Sequence, residues 1–221
     1  MSIPEIPACP LCGQAETRLF CLDFLRQRHY WRCPDCHLSW RDARHHLDAA
    51  AERAVYEMHE NHPDEPGYRR FLTRVSAPLR ERLPQAARGL DFGCGPGPAL
   101  ARMLEEAGHS VALYDPFFHP DTSVLNAEYD FITCTETMEH CAQPGMELAR
   151  LLGMLKAGGH LAIMTGHLSE DARFARWHYR QDPTHICFFQ RRSFDWIARH
   201  WNLTTVFHQG DVWIAQKPGR I

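Results

Sequence analysis

No apolar run in this 221-residue sequence approaches the roughly 18 residues of a membrane-spanning helix. The opening MSIPEIPACP also lacks the basic start and apolar stretch of a secretory leader. Together these absences predict a soluble, cytoplasmic protein. Positive charge is not in excess either: 24 Lys and Arg stand against 27 Asp and Glu, a formal net charge of -3. Such a chain offers no broad field to hold nucleic acid by phosphate neutralisation alone. Internal repeats and low-complexity tracts are missing too. The composition, 44% hydrophobic and 23% charged, suits one α/β core with a small appendage.

The nine cysteines do not form a disulfide framework. Four of them make two C-x-x-C pairs, Cys9 with Cys12 and Cys33 with Cys36, separated by 20 residues. That is the spacing of a zinc ribbon, in which each turn aims two thiolates at one point and two turns complete a closed structural tetrahedron. Neither pair opens a helix in a thioredoxin-like unit, as a redox pair would. Residues 1–46 therefore read as a small β-rich zinc ribbon with its own metal. Six Arg against five Asp or Glu in this stretch make a weak footprint for nucleic acid. A cap or folding staple is the expectation, and docking of RNA the alternative.

Residues 47–86 are charged and helical in pattern, broken at 61–67 by Asn-His-Pro-Asp-Glu-Pro-Gly. They read as a connector or lid, with Tyr56, His59 and Tyr68 as groups that would close over a ligand. From 87 to 221, short apolar runs alternate with amphipathic helices, which predicts a mostly parallel sheet with crossover helices. A first strand ends at Leu90-Asp91-Phe92, and Pro98 opens a helix carrying Leu100, Met103 and Leu104 on one face. Further strands are expected at 111–115, 129–135 and 160–165. Helices are expected from Pro144 and over 193–201, and a closing antiparallel hairpin over 204–208 and 212–216.

Between the first strand and its helix lies Gly93-Cys94-Gly95-Pro96-Gly97. Such a turn brings backbone N–H groups and a helix N-terminus close to a ligand. The third glycine of the dinucleotide fingerprint would fall at position 98, where this chain has Pro98. Asp115 closes the next strand, 22 residues after Gly93, where a carboxylate can accept hydrogen bonds from both ribose hydroxyls of an adenosine ligand.

The ordered segments LDFGCGPG, ALYDP, YDFITCTETMEH and LKAGGHLAIMT resemble those of class I S-adenosylmethionine (SAM) dependent methyltransferases over roughly 88–216. The resemblance implies a Rossmann-like, seven-stranded sheet. It implies SAM contacts along Asp91, Phe92, Gly93, Cys94, Gly95 and Pro96, at Asp115 and Pro116, and at the strand end Cys134-Thr135. Only 14 residues separate Asp115 from Asp130, too few for a strand with its own crossover helix, so the third strand is expected as a remnant near Val124-Leu125.

Glu136, Glu139 and His140 follow a strand at i, i+3 and i+4, which on one helical turn would share a face. Two carboxylates and an imidazole suggest a cradle for Mg2+ or another divalent cation, with His185 from Asp182-Pro-Thr-His185 as a further ligand. The pattern resembles the E-x-x-E-H segment of small-RNA 3′-end methyltransferases and the equivalent part of ubiquinone-pathway O-methyltransferases. His185 and His140 are the candidate bases, with His178 third. The stretch 174–189, with Trp177, Tyr179 and Phe188, falls where an acceptor-binding insertion would lie. The reading is methyl transfer to an O, C or N atom of a small molecule. RNA methylation, or SAM binding without catalysis, is the alternative.

Overall fold

The computed structural model describes residues 6–58 and 62–219, and orders them around two sheets. The ribbon supplies β1 (Arg18–Asp23), β2 (Arg28–Arg32) and β3 (Ser39–Arg41). The connector supplies α1 (Ala49–Tyr56) and α2 (Pro66–Arg80). The rest of the chain runs β4 (Arg88–Phe92), α3 (Ala99–Glu106), β5 (Ser110–Tyr114), β6 (Tyr129–Thr135), α4 (Pro144–Met154), β7 (Leu155–Met164), β8 (Cys187–Phe188), α5 (Arg191–His200), β9 (Thr204–Gln209) and β10 (Val212–Gln216).

The larger sheet has the order β5-β4-β6-β7-β10-β9. Its first four strands are parallel, and the β9–β10 hairpin is antiparallel. Period-2 alternation divides the strands between two cores. Leu90, Ile132, Leu161, Ile163 and Trp213 face α4, α5 and the ribbon cysteines. Phe131, Ala162, Met164, Val212 and Ile214 face α2 and α3. The connector thus covers one face of the sheet: Leu72, Val75 and Leu79 at helical spacing are all buried. Its N-terminus is set by Pro66 and by the Glu65 side chain, which accepts from the N–H groups of Gly67 and Tyr68.

Two expectations are corrected here. Among the described residues the sheet has six strands, not seven. The remnant third strand near Val124-Leu125 is instead a 3-10 turn, Thr122–Asn126; its Val124 carbonyl accepts from the Tyr129 hydroxyl at 2.6 Å, which ties it down outside any ladder. The ribbon shares its sheet with the rest of the chain. That sheet has the order β1-β2-β3-β8, with Ser39 opposite Phe188 and Trp40 opposite Cys187. The ribbon also rests on α4: the Gly145 N–H donates to the Pro10 carbonyl, and a Cβ at Gly145 would meet the Leu11 carbonyl oxygen at 2.3 Å. Only glycine admits the first cysteine turn so close to the helix.

Candidate active site

β4 ends in Asp91 and Phe92, and the chain reverses into α3 through the glycine turn. Gly93 has φ +74°, and a Cβ there would lie 2.2 Å from the Thr137 side chain. Both the backbone conformation and the close approach therefore exclude a side chain. Three of the turn's N–H groups are used within the protein. Those of Gly93 and Cys94 donate to the Tyr114 carbonyl at 2.8 and 3.3 Å, and that of Gly95 donates to Asp115 Oδ2 at 3.0 Å. They lace the turn to the tip of β5. Asp115 Oδ1 accepts from Phe117 N and Phe118 N at 2.9 and 3.1 Å, so three backbone N–H groups fix this carboxylate's place.

A single cavity of about 900 Å³ opens over this turn. Asp91, Phe92, Gly93, Cys94, Gly95, Pro96, Asp115, Pro116 and Thr135 all lie on its wall. Cys134 does not: its side chain is buried in the sheet core, one residue out of phase with the cavity. Asp91 is 4% exposed and accepts from the Thr133 hydroxyl at 2.7 Å. Burial raises its pKa to about 6, against the pull of that hydroxyl.

Across the cavity, β6 ends at Thr135 and the chain bends sharply. Glu136 takes φ +48°, and its N–H donates to the Met164 carbonyl at 2.7 Å. A 3-10 turn, Met138–His140, follows. The regular helical turn expected for Glu136, Glu139 and His140 is not formed, because the left-handed Glu136 redirects the chain. Glu136 stays on the cavity wall. Glu139 turns inward and is fully buried. Ligand atoms of Glu139, His140 and His185 come within 4.8 Å of one another, and Glu136 is outside that group.

Hydroxyls hold both oxygens of Glu139: Thr165 Oγ1 donates to Oε2 at 2.8 Å, and Tyr179 Oη to Oε1 at 2.5 Å. Burial pushes the Glu139 pKa up, and the neighbouring His185 opposes this. Burial likewise lowers that of His185. His185 Nδ1 lies 2.7 Å from the Tyr179 carbonyl, and His140 Nδ1 lies 3.1 Å from that of Thr184. A carbonyl only accepts, so each ring carries its proton on Nδ1, and its lone pair is on Nε2. The two rings are 4.8 Å apart.

The four ribbon cysteines converge as their spacing predicts. Cys9 and Cys36 sulfurs are 3.4 Å apart, those of Cys12 and Cys33 3.5 Å, and all four lie within 4.8 Å of one another. These separations exceed the ~2.05 Å of a disulfide. They approach the ~3.8 Å edge of a tetrahedron built on ~2.3 Å zinc–sulfur bonds.

Other candidates fall on either side. Tyr56 and Tyr68 line the cavity, and the Tyr56 ring meets His140 edge-on at 5.3 Å. His59 lies outside the described residues. Within the stretch 174–189, Tyr179 reaches the cavity, while Trp177 and Phe188 pack with Tyr30 and Phe174. His178 is not on the cavity wall. Sequence reasoning missed Glu52 and Phe117, which line the cavity, and the Thr165–Glu139–Tyr179 network. No local pattern distinguishes a buried glutamate from a solvated one.

Comparison with known proteins agrees with this geometry. Residues 58–208 match the methyltransferase-domain family. A curated relative, the biotin biosynthesis bifunctional protein BioCD of Bordetella avium, is 31% identical over 156 residues, 60% of this chain. The chain spans only 31% of that relative's length. Among solved structures, the Burkholderia thailandensis 1,6-didemethyltoxoflavin-N1-methyltransferase, determined with 1,6-didemethyltoxoflavin and S-adenosylhomocysteine, superposes with a TM-score of 0.54 at 19% identity, covering 91% of this chain and 99% of that one. A chain from the complex of the Haloferax volcanii Trm112 methyltransferase activator with a methyltransferase gives 0.50 at 11% identity, covering 76% and 97%. The chain belongs to the methyltransferase-domain family and has the class I SAM-dependent methyltransferase fold.

Proposed function

We propose that this member of the methyltransferase-domain family transfers the methyl group of SAM to an O, C or N atom of a small-molecule acceptor. The observation that carries the choice of SAM is the charge of the cavity. Six carboxyl groups line it (Glu52, Asp91, Asp115, Glu136, Glu147 and Asp182) against one guanidinium, that of Arg150. SAM brings a sulfonium and an ammonium, which stabilise ionised carboxylates in a buried site. A dinucleotide would instead bring a pyrophosphate into the same negative field. In this reading Asp115 accepts from ribose hydroxyls, and Asp91 faces the cationic part of the cofactor; their position on the cavity wall supports it. Calorimetric titration with SAM, S-adenosylhomocysteine and NADH tests this: the first two bind, and NADH binding in their place overturns it.

Bound SAM supplies a methyl group on a good leaving sulfur, so the reaction is an in-line displacement that demands alignment more than acid–base chemistry. Tyr56, Phe117 and Tyr179 form apolar walls that exclude water and orient a compact acceptor. These walls favour a small molecule over RNA. His185 or His140, with the lone pair on Nε2, accepts the acceptor's proton where the nucleophile is a hydroxyl or an acidic carbon.

Two metal readings accompany this one. Cys9, Cys12, Cys33 and Cys36 hold a structural Zn2+ in the ribbon. Glu139, His140 and His185 hold a divalent cation at the acceptor end of the cavity. In support, each imidazole makes the outer Nδ1–H to carbonyl bond that metal-bound histidines carry. Such a cation would occupy both Nε2 lone pairs, so it would replace the histidine base rather than accompany it, and would lower the pKa of an acceptor hydroxyl. Metal analysis of Glu139→Gln against the unaltered protein checks it: the variant retains zinc in the ribbon and loses any second metal.

A further inference from the structure

We infer that Arg41, on the ribbon strand β3, is the positioning residue for His185, and that through it the ribbon sets the acceptor end of the cavity but not the cofactor end. The inference deepens the methyltransferase reading and rests on it for the role of His185.

The chain from Tyr179 to Ile186 carries His185 with little regular structure: a short 3-10 turn, His178–Gln181, ends before Asp182. Its buried carbonyls need donors from elsewhere. Arg41 supplies them. Its Nη1 donates to the Pro183 carbonyl at 2.5 Å, and its Nη2 to those of Asp182 at 2.9 Å and Arg180 at 3.2 Å. Its backbone N–H donates to the Ile186 carbonyl at 2.8 Å. One residue of the ribbon therefore grips the segment on both sides of His185. The remaining carbonyls of the segment then fix the rings: that of Tyr179 accepts from His185, and that of Thr184 from His140.

Arg41 is fully buried, and backbone carbonyls rather than a carboxylate surround its charge. Burying a guanidinium in this way is costly as a contribution to stability alone. A planar fork with several fixed donors is, however, well suited to setting a loop's shape. A neighbouring contact reinforces the grip: Arg180 Nη1 pairs with Asp23 Oδ2 of β1 at 3.0 Å, both side chains buried. The glycine turn and Asp115, by contrast, are fixed by β4, β5 and Thr137, without a hydrogen bond to the ribbon among the described residues.

The test uses the full zinc-loaded chain and the variants Arg41→Met, Arg41→Lys and Arg32→Met. Arg32 is as buried as Arg41 and also joins the ribbon to the larger domain, through Asp171 at 2.5 Å, but it touches nothing in the His185 segment. Zinc content, S-adenosylhomocysteine affinity by calorimetry, and the imidazole 15N–1H signals of His185 are measured on each. In Arg41→Met, zinc content and affinity stay within about twofold. The His185 Nδ1–H signal shifts and exchanges with solvent roughly tenfold faster, the loss of about one net hydrogen bond. Arg41→Lys restores part of the protection, and Arg32→Met leaves the signal in place. An unchanged His185 signal in Arg41→Met, or an equal change in Arg32→Met, overturns the inference. Should Arg41→Met not fold, Arg41→Lys decides, and wild-type exchange in it overturns the inference. Absence of S-adenosylhomocysteine binding by the unaltered chain refutes the methyltransferase reading, while the His185 signal still judges Arg41.

Discussion

The two ends of the cavity are built in opposite ways. At the proposed cofactor end, Asp91, the glycine turn and Asp115 lie within 25 residues of one another, and mainly the backbone holds them. At the proposed acceptor end, Glu139, Thr165 and the Tyr179–His185 segment come from separate parts of the chain, and bonds made by their side chains join them. Backbone geometry of the first kind tolerates change in surrounding side chains. A side-chain network of the second kind fails as a unit when one member is removed. One end can thus be common to many methyltransferases while the other is remade for each acceptor.

The sharpest way to break this division is to act on the proposed zinc site. If the four cysteines hold zinc as proposed, a chelator or Cys36→Ser takes that metal and its folding energy from the ribbon. Methyl transfer is expected to fall at least about 100-fold, and S-adenosylhomocysteine affinity only a few-fold. Equal losses in the two would show the ends to be one unit. Glu139→Gln comes next. Replacing the buried carboxyl group puts an amide donor against the Thr165 and Tyr179 hydroxyls that donate to it, so transfer drops roughly 10²–10³-fold with cofactor affinity unchanged. Single-turnover rates beside calorimetry separate the two quantities.

Gly93→Ala attacks the other end. A Cβ at φ +74° against Thr137 displaces the turn, and S-adenosylhomocysteine affinity should weaken about 100-fold, close to 2.7 kcal/mol. The His185 imidazole signal should not move. The smallest effect is with pH. Asp91, raised to about 6 by burial from an unfolded value of about 3.9, is more easily protonated when folded. The protein without cofactor therefore gains stability as pH falls from 6 towards 4, and loses it as pH rises through 6. SAM, a cation, favours the ionised form. Its affinity should fall below pH 6 by up to about tenfold per unit, and a flat calorimetric profile from pH 5 to 7 would remove Asp91 from the cofactor site.

The same contrast explains what could be read from the sequence. Gly93, Gly95 and Asp115 were legible because a strand, a turn and a strand tip are local patterns with fixed spacing. The ribbon cysteines were legible because thiolates at C-x-x-C spacing have few other uses. Asp115 to Asp130 proved too short for a strand and helix, as its length required, though the turn that fills it was not foreseen. Glu136 was misplaced because nothing in Glu-Thr-Met-Glu-His signals a positive φ for a glutamate. Arg41 and β8 were invisible for another reason: their partners lie 139 or more residues away in sequence, and each looks ordinary on its own strand. The short apolar run Ile186 to Phe189 was the available hint of β8.

The pairing of β3 with β8 has a consequence in time. Trp40 leaves the ribosome early, but its partner Cys187 follows 147 residues later. At about 5–20 residues per second, that is a delay on the order of ten seconds. During the wait the ribbon's β3 edge is unpaired and Arg41 lacks the carbonyls it binds, so the proposed zinc site would have to hold the nascent ribbon. On that proposal, zinc supply during synthesis should govern how much of the chain reaches its final fold. The ribbon is made well before the strand that completes its sheet.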